Sequence, residues 1–146
     1  MDSEAASVFE LTVPSRMEEL EAVQQFAEST SGAFGLDKEL AYWIEFAINE
    51  SAINAIQHGN NSDASKNVSI RISSDGEVIE IVVEDQGPGF ELSDVPDPTD
   101  VENLLKPAGR GLLIIQSFMD TVEVSQIDGS GSRLRMVKNI KDEKVS

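Results

Sequence analysis

Apolar and polar residues follow one another along the chain at two different spacings. Alternation at every second position is typical of a strand with one buried face, and recurrence at every third or fourth position is typical of a helix. On this basis we predict strands at 7–13, 67–73, 77–84, 121–126 and 132–138, and helices at 15–29, 37–58 and 112–119. We expect the first helix to begin with a capping box formed by Ser15 and Glu18, and the second to be capped by Asp37.

The order of these elements indicates the fold class. A parallel doubly wound sheet would require strands and helices to alternate, which they do not. The order predicts an α+β fold, a two-layer α/β sandwich whose mixed, mostly antiparallel sheet is covered on one face by about three helices. The other face is expected to be more polar or to serve for contacts. We expect residues 1–146 to form a single domain, with polar tails at about 1–6 and 140–146.

The second predicted helix is apolar on nearly all sides, which indicates that it is buried. Glu50, Asn54 and His58 follow one another in it at intervals of four residues, so their side chains project from one side in successive turns. A buried carboxylate must form an ion pair, accept hydrogen bonds or have a role in function. We interpret Glu50 and Asn54 as a carboxylate and a carboxamide that enter a nucleotide pocket. The alternative is a partly exposed edge of a core helix that ends at a Gly59 C-cap.

The charge of the chain limits the kinds of ligand it can bind. The formal net charge is -16 and the isoelectric point is about 4.2, and the Lys and Arg residues are scattered. The phosphate backbone of DNA or RNA would be repelled, so we expect no direct nucleic-acid partner. A small polyanionic ligand would need a divalent cation and a few well-placed hydrogen-bond donors.

The cysteine content and the lengths of the apolar runs bear on the cellular compartment. The chain has no cysteine, which excludes disulfides, thiolate zinc sites and a cysteine nucleophile. No apolar run approaches the roughly 20 residues that span a bilayer, and the acidic start lacks a signal segment. We therefore expect a cytoplasmic, soluble protein without a membrane partner.

Two glycine-containing segments offer groups to a ligand. Asp85 directly follows a hydrophobic strand and precedes Gly87-Pro88-Gly89, where a carboxylate can accept a hydrogen bond from an exocyclic amine such as that of adenine. Gly109-Arg110-Gly111 opens a helix, whose N-terminal N–H groups can hold phosphate oxygens. Lys106 and Arg110 could add positive charge. Taken alone, either motif is more typical of an ordinary turn or loop.

The side chains of the second helix supply the remaining chemistry. The amide oxygen of Asn54 is a hard, neutral ligand of the kind that Mg²⁺ accepts, whereas one His and no Cys argue against a zinc centre. Glu50, one turn earlier, is placed to take a proton from a hydroxyl group or water. His58 could brace this site through a hydrogen bond or merely cap the helix.

Together the motifs form one ordered pattern. It consists of E-x-x-x-N-A-x-x-H-G from Glu50, D-x-G-x-G-F from Asp85 and G-x-G-L from Gly109, with an acidic, proline-containing stretch between the last two. The pattern resembles the ATP-binding fold shared by gyrase, histidine kinases and mismatch-repair ATPases. More narrowly, it resembles the bacterial anti-sigma-factor serine kinases of sporulation and stress response. The resemblance extends from about Phe9 to Val137.

This resemblance implies a Bergerat-type site for ATP and Mg²⁺, closed by an ATP lid at about 90–108. It implies that Glu50 is the general base, Asn54 the Mg²⁺ ligand and Asp85 the residue that reads adenine. The other residues expected at the nucleotide are Gly87 and Gly89 beside adenine, Gly109, Arg110, Gly111 and Leu112 around the phosphates, and Lys106 or Arg110 as the charge partner of the phosphates.

The resemblance also implies a function. The protein would be an ATP- and Mg²⁺-dependent anti-sigma factor with serine/threonine kinase activity, which binds a sigma factor and phosphorylates an anti-anti-sigma antagonist of the STAS type on serine. Homodimerisation is expected on the same ground. The alternative is a nucleotide-binding partner-switching module without kinase activity, although a pure binder has no need of Glu50. A detached histidine-kinase domain would need a phosphoacceptor histidine, and His58, the only histidine, lies within the predicted pocket.

Overall fold

The computed structural model describes residues 7–86, 109–127 and 131–140. All the predicted strands and helices occur there, with ends that differ by a few residues, whereas the predicted lid at 90–108 and the segments 1–6 and 141–146 lie outside these ranges. In chain order the elements are β1 (Ser7–Pro14), α1 (Leu20–Ala33), α2 (Lys38–Asn54), β2 (Asn67–Ser74), β3 (Val78–Glu84), α3 (Gly109–Phe118), β4 (Thr121–Gln126) and β5 (Ser132–Asn139).

The five strands form one sheet in the order β1-β2-β3-β5-β4, and each of the four pairings is antiparallel. The register places Phe9, Ile72, Ile81, Met136 and Val122 side by side, one from each strand, in a continuous apolar row. The alternation of polar and apolar residues along each strand therefore gives the sheet one apolar face, on which the helices pack. This arrangement confirms the predicted α+β two-layer sandwich.

The core lies between this apolar face and α2 with its continuation. Ile44, Ile48 and Ile56 are at most 1% exposed, and each such side chain stabilises the fold by about 1.5–3 kcal/mol relative to an exposed position. The prediction that the second helix is the buried central element is thus confirmed. Ile140 is buried as well, and its amide donates to the Glu77 carbonyl, so the packed domain includes the residue at which the C-terminal tail was predicted to begin.

The opposite face of the sheet carries ion pairs, as expected of a polar outer face. Arg135 contacts Glu80 and Glu123, and Arg133 Nε lies 2.7 Å from a Glu84 carboxylate oxygen. Exposed pairs of this kind contribute about 0–1 kcal/mol each. Burial on the inner face therefore dominates the stability of the sheet.

The two predicted helix caps have different outcomes. Asp37 caps α2, since its carboxylate accepts a hydrogen bond from the Leu40 amide at 2.8 Å. The Ser15–Glu18 capping box is wrong, because Ser15 is fully buried and donates its hydroxyl hydrogen to the Lys66 carbonyl at 2.8 Å. The chain instead enters α1 through a 3₁₀ turn at Met17–Glu19 without a side-chain cap.

The end of α2 also differs from the prediction. Its α-helical hydrogen bonds stop at Asn54, and the chain continues into a π-helical turn at Ala55–Gly59, closed by a 2.9 Å hydrogen bond from the Asn60 amide to the Ala55 carbonyl. Gly59 lacks the positive φ of a glycine C-cap. A single π turn of this kind is frequent at functional sites.

Candidate functional site

Glu50 lies on α2 against the first turn of α3. A Cβ atom added to Gly111 would overlap Glu50 Oε1 and would lie 2.8 Å from Glu50 Cδ, so a side chain at this position would force the end of the Glu50 side chain to shift. Desolvation by burial raises the pKa of Glu50 above its ordinary value of 4.5. The structure therefore brings together two residues that the sequence predicted to meet, and burial raises the proton affinity of this carboxylate.

Asn54 lies one turn beyond Glu50 and is 7% exposed. Its Oδ1 and Nδ2 atoms are both buried, and neither has a hydrogen-bond partner in the part of the chain that the structure describes. Each unpaired buried polar group costs about 1–3 kcal/mol. Two such atoms on one side chain are unfavourable for folding, which makes Asn54 a candidate for contact with a ligand.

His58 lies in the π turn, one helical turn beyond Asn54. Its Nε2 atom is buried and likewise lacks a partner among the described residues. Within the described residues, this atom therefore makes neither a bracing nor a capping hydrogen bond.

Asp85 follows β3 and is 8% exposed. Its backbone N–H donates to the Ser132 carbonyl at 3.0 Å, and its Oδ1 accepts from the Ser132 amide at 3.2 Å. A Cβ atom at Gly59 would overlap Asp85 Oδ2, and one at Gly131, where φ is +105°, would overlap the Asp85 carbonyl oxygen. The carboxylate is thus fixed between the π turn and the start of β5, and this close approach is why Gly59 is a glycine.

Two further residues beside Asp85, Ser132 and Asn60, were not predicted from the sequence to belong to the site. The Ser132 hydroxyl is buried beside Asp85 and has no partner among the described residues. Asn60 is 1% exposed and accepts a 2.8 Å hydrogen bond from the Gln86 amide. Asn60 lies in a polar run, 60–63, that is typical of a solvent-exposed turn. Ser132 has the pattern of an ordinary first residue of a strand. Neither has a local sequence signal.

The first residues of α3 are those of the predicted phosphate motif. Gly109, Arg110 and Gly111 form its first turn instead of a loop that precedes it, so their N–H groups lack partners within the helix. For Arg110 and Leu112 only the backbone is described. Three of the predicted nucleotide contacts lie outside the described residues and stay predictions, namely Gly87, Gly89 and Lys106.

The donor atoms fit magnesium better than a transition metal. Among residues 7–86, 109–127 and 131–140, no cluster of three or more His, Asp or Glu side chains could hold a metal ion. Mg²⁺ typically takes one or two protein oxygen atoms and completes its shell with water and phosphate oxygens. The unpaired amide oxygen of Asn54 meets that requirement.

The raised pKa of Glu50 implies that the free energy of unfolding depends on pH. A carboxyl group whose pKa is higher in the folded than in the unfolded state contributes stability at low pH, and this contribution is lost as the pH rises through the folded-state pKa. Glu50→Gln removes this dependence. The free energy of unfolding of the variant relative to the wild type should therefore increase as the pH rises above about 4.5 in denaturant titrations. A constant difference would contradict the raised pKa.

Comparisons with known proteins extend this picture. A model of the family described as "Histidine kinase-like ATPase domain" matches residues 13–138. The chain is 29% identical over 147 residues to a Bacillus licheniformis protein named serine-protein kinase RsbW, covering 97% of this chain and 91% of that protein. It is 25% identical over 146 residues to the protein of that name from Bacillus subtilis (strain 168), covering 96% and 90%. It is 35% identical over 99 residues to an anti-sigma F factor of Clostridium perfringens (strain 13 / Type A), covering 66% and 71%.

The family match includes the central helix and the sheet strands that form the site. Glu50, Asn54, Asp85 and Ser132 all lie within the matched range. The ordered motifs noted in the sequence indicate the same family, so the predicted resemblance is confirmed. This chain therefore belongs to the histidine kinase-like ATPase domain family.

Proposed function

We propose that the protein is an ATP- and Mg²⁺-dependent serine/threonine kinase that acts as an anti-sigma factor. The observation that carries this proposal is the arrangement on α2. A partly desolvated Glu50 carboxylate lies against Gly111 in the first turn of a helix, and Asn54 holds two unpaired polar atoms one turn away. The names of the relatives, serine-protein kinase and anti-sigma F factor, support the same function.

Asp85 and Ser132 are proposed to receive the adenine ring. Asp85 Oδ1 is already occupied by the Ser132 amide, while the Ser132 hydroxyl is buried and has no partner among the described residues. A carboxylate accepts a hydrogen bond from the adenine amine but repels the carbonyl oxygen that guanine carries at that position. The pair therefore favours adenine nucleotides.

The phosphates are proposed to lie at the N-terminus of α3. The N–H groups of Gly109–Gly111 carry the positive end of the helix dipole there, which stabilises anionic oxygen atoms. Asn54 would hold Mg²⁺ through its amide oxygen. When bound, the ion supplies positive charge that offsets the charge of the phosphates.

Glu50 is proposed to act on the attacking group. It accepts the proton of the incoming serine hydroxyl while a bond forms between the serine oxygen and the γ-phosphorus, and the bond from that phosphorus to the departing ADP oxygen breaks. A carboxylate with a raised pKa suits this role, because it binds the proton more readily than an ordinary one at neutral pH. Orientation of the reacting groups and stabilisation of charge supply the rest of the rate acceleration.

The proposed protein partners are a sigma factor and a STAS-type anti-anti-sigma antagonist, and the protein is proposed to form homodimers. The acidic net charge of -16 supports protein partners with basic surfaces over direct binding to nucleic acid. In the described ranges, no helix has the length and apolar character needed to cross a membrane. We propose that the protein acts in the cytoplasm.

The experiment that tests the proposed function is incubation of the protein with γ-labelled ATP, Mg²⁺ and the STAS-domain proteins of the same organism. Transfer of label to a serine of one of them supports the kinase function. Tight nucleotide binding and partner binding without any transfer would instead support the partner-switching module. The Glu50→Gln variant, which we expect to transfer label much more slowly, is assayed beside the wild type.

Asn54→Ala tests the metal ligand. We expect Mg²⁺ to strengthen ATP binding to the wild type and to do so about tenfold less for the variant, measured by calorimetry with and without Mg²⁺. Neither polar atom of Asn54 is paired within the described fold, so the variant should be at least as thermally stable as the wild type. Equal Mg²⁺ dependence in the two proteins would contradict the assignment.

A further inference from the structure

Asn60 is a buried polar side chain near the proposed adenine pocket, and both its amide nitrogen and its amide oxygen are hydrogen-bonded. It is 1% exposed, and its Nδ2 atom donates to Ser15 Oγ at 2.7 Å and to the Asn67 carbonyl at 3.0 Å. Its Oδ1 atom accepts from the Gln86 amide at 2.8 Å. This side chain therefore ties the end of the π turn to the residue that follows β1, to the beginning of β2 and to the segment after β3.

These contacts close a ring. The Gln86 side chain accepts a 2.5 Å hydrogen bond from the Asn67 amide, the Asn67 carbonyl accepts from Asn60, and Asn60 accepts from the Gln86 amide. A closed ring of hydrogen bonds fixes the relative positions of its members more firmly than separate bonds do, because no member can move without breaking two.

The ring lies directly beside Asp85. Gly59, against which the Asp85 carboxylate packs, is covalently joined to Asn60, and Gln86 is covalently joined to Asp85. The hydrogen bond from the Gln86 amide to Asn60 therefore joins the Gly59–Asn60 pair to the Asp85–Gln86 pair. If it is lost, Asp85 keeps its bonds to Ser132 on one side, but its backbone is no longer tied to Gly59 through this hydrogen bond.

We propose that Asn60 is a positioning residue that sets the place of the Asp85 carboxylate and so determines the preference of the site for adenine over guanine nucleotides. This inference rests on the proposed function, in which Asp85 reads adenine. Discrimination requires a carboxylate that stays in place, since one that retreats lets water come between it and the guanine carbonyl and removes the repulsion. Asn60 does not touch the reacting atoms, so it should leave the rate of transfer unchanged.

Asn60→Ala and Ser15→Ala form a matched pair for the test. Both remove a buried polar side chain from the same network, and both cost hydrogen bonds. Ser15→Ala, however, leaves the hydrogen bond between Asn60 and the Gln86 amide intact. A general loosening of this region should affect both variants, whereas a specific effect on Asp85 should appear only in Asn60→Ala.

The measurement is calorimetric titration of the full-length variants with Mg²⁺·ATP and Mg²⁺·GTP, together with thermal melts to confirm folding. We expect Asn60→Ala to lower the ratio of ATP to GTP affinity about tenfold and Ser15→Ala to change it less than about twofold. We also expect kcat at saturating ATP to stay within about twofold of the wild type in both variants. The inference is overturned if the ratio is unchanged in Asn60→Ala, or if it falls equally in both variants.

Asp85→Asn separates this inference from the function on which it rests. An asparagine can offer either an acceptor or a donor to the base, so the variant should lose discrimination between ATP and GTP. If Asp85→Asn loses discrimination and Asn60→Ala keeps it, the positioning role of Asn60 is wrong and the adenine site stands. If Asp85→Asn keeps the wild-type ratio, the adenine site is wrong and the inference falls with it.

Discussion

The Glu50→Gln variant should bind Mg²⁺·ATP about as tightly as the wild type and phosphorylate the proposed antagonist about 10²- to 10⁴-fold more slowly. Glutamine has nearly the shape of glutamate and fits the space left by Gly111, so the nucleotide site keeps its form. It cannot accept the hydroxyl proton at neutral pH. The loss should therefore fall on kcat, measured with labelled ATP, and not on the calorimetric affinity.

Glu45→Gln provides the matched control for this result. Glu45 lies on the same helix and is half-buried as Glu50 is, but its carboxylate accepts a 2.6 Å hydrogen bond from the Ser31 hydroxyl of α1. A glutamine oxygen can accept the same bond, so transfer by this variant should stay near the wild-type rate. Retention of transfer by Glu50→Gln would exclude Glu50 as the base. An equal loss in both variants would point to a general effect on α2.

The Gly59→Ala variant should bind ATP about 10- to 100-fold more weakly, the range expected for loss of a hydrogen bond to a charged group. The added methyl group would occupy the position of Asp85 Oδ2. Asp85 has a short side chain and is held by Ser132, so it cannot swing aside without leaving its place in the pocket. Calorimetric titration with Mg²⁺·ATP measures the effect.

Gly32→Ala is the control for the change from glycine to alanine. Gly32 lies in α1, and a Cβ atom there would have no neighbour within 4 Å. This variant should bind ATP as the wild type does and should be slightly more stable, by up to about 1 kcal/mol, because alanine favours the helix. Unchanged ATP affinity in Gly59→Ala would show that Asp85 does not read the base.

The parts of the structure that local patterns determine were predicted well. Alternation within the strands depends on the geometry of each strand alone, and it gave the correct sheet face to residues such as Ile72 and Ile81. The cap at Asp37 and the shared side of Glu50 and Asn54 also follow from the helical repeat over a few residues.

The parts that depend on contacts between distant residues could not be predicted in this way. Ser15 has the local pattern of a helix cap, but a hydrogen bond to Lys66, 51 residues away, determines its position. Gly59 resembles a C-cap, yet its lack of a side chain is explained by Asp85. The roles of Asn60 and Ser132 likewise appear only when β2, β3 and β5 are brought side by side.

The most direct test of the central claim is a crystal structure of the protein with Mg²⁺ and a non-hydrolysable ATP analogue. We expect Asn54 Oδ1 at about 2.0–2.1 Å from the metal, the Asp85 carboxylate within hydrogen-bond distance of the adenine amine, and the phosphates at the N-terminus of α3. Glu50 should face the γ-phosphate. A nucleotide that is bound elsewhere, or that touches neither Asn54 nor Asp85, would contradict the proposed site.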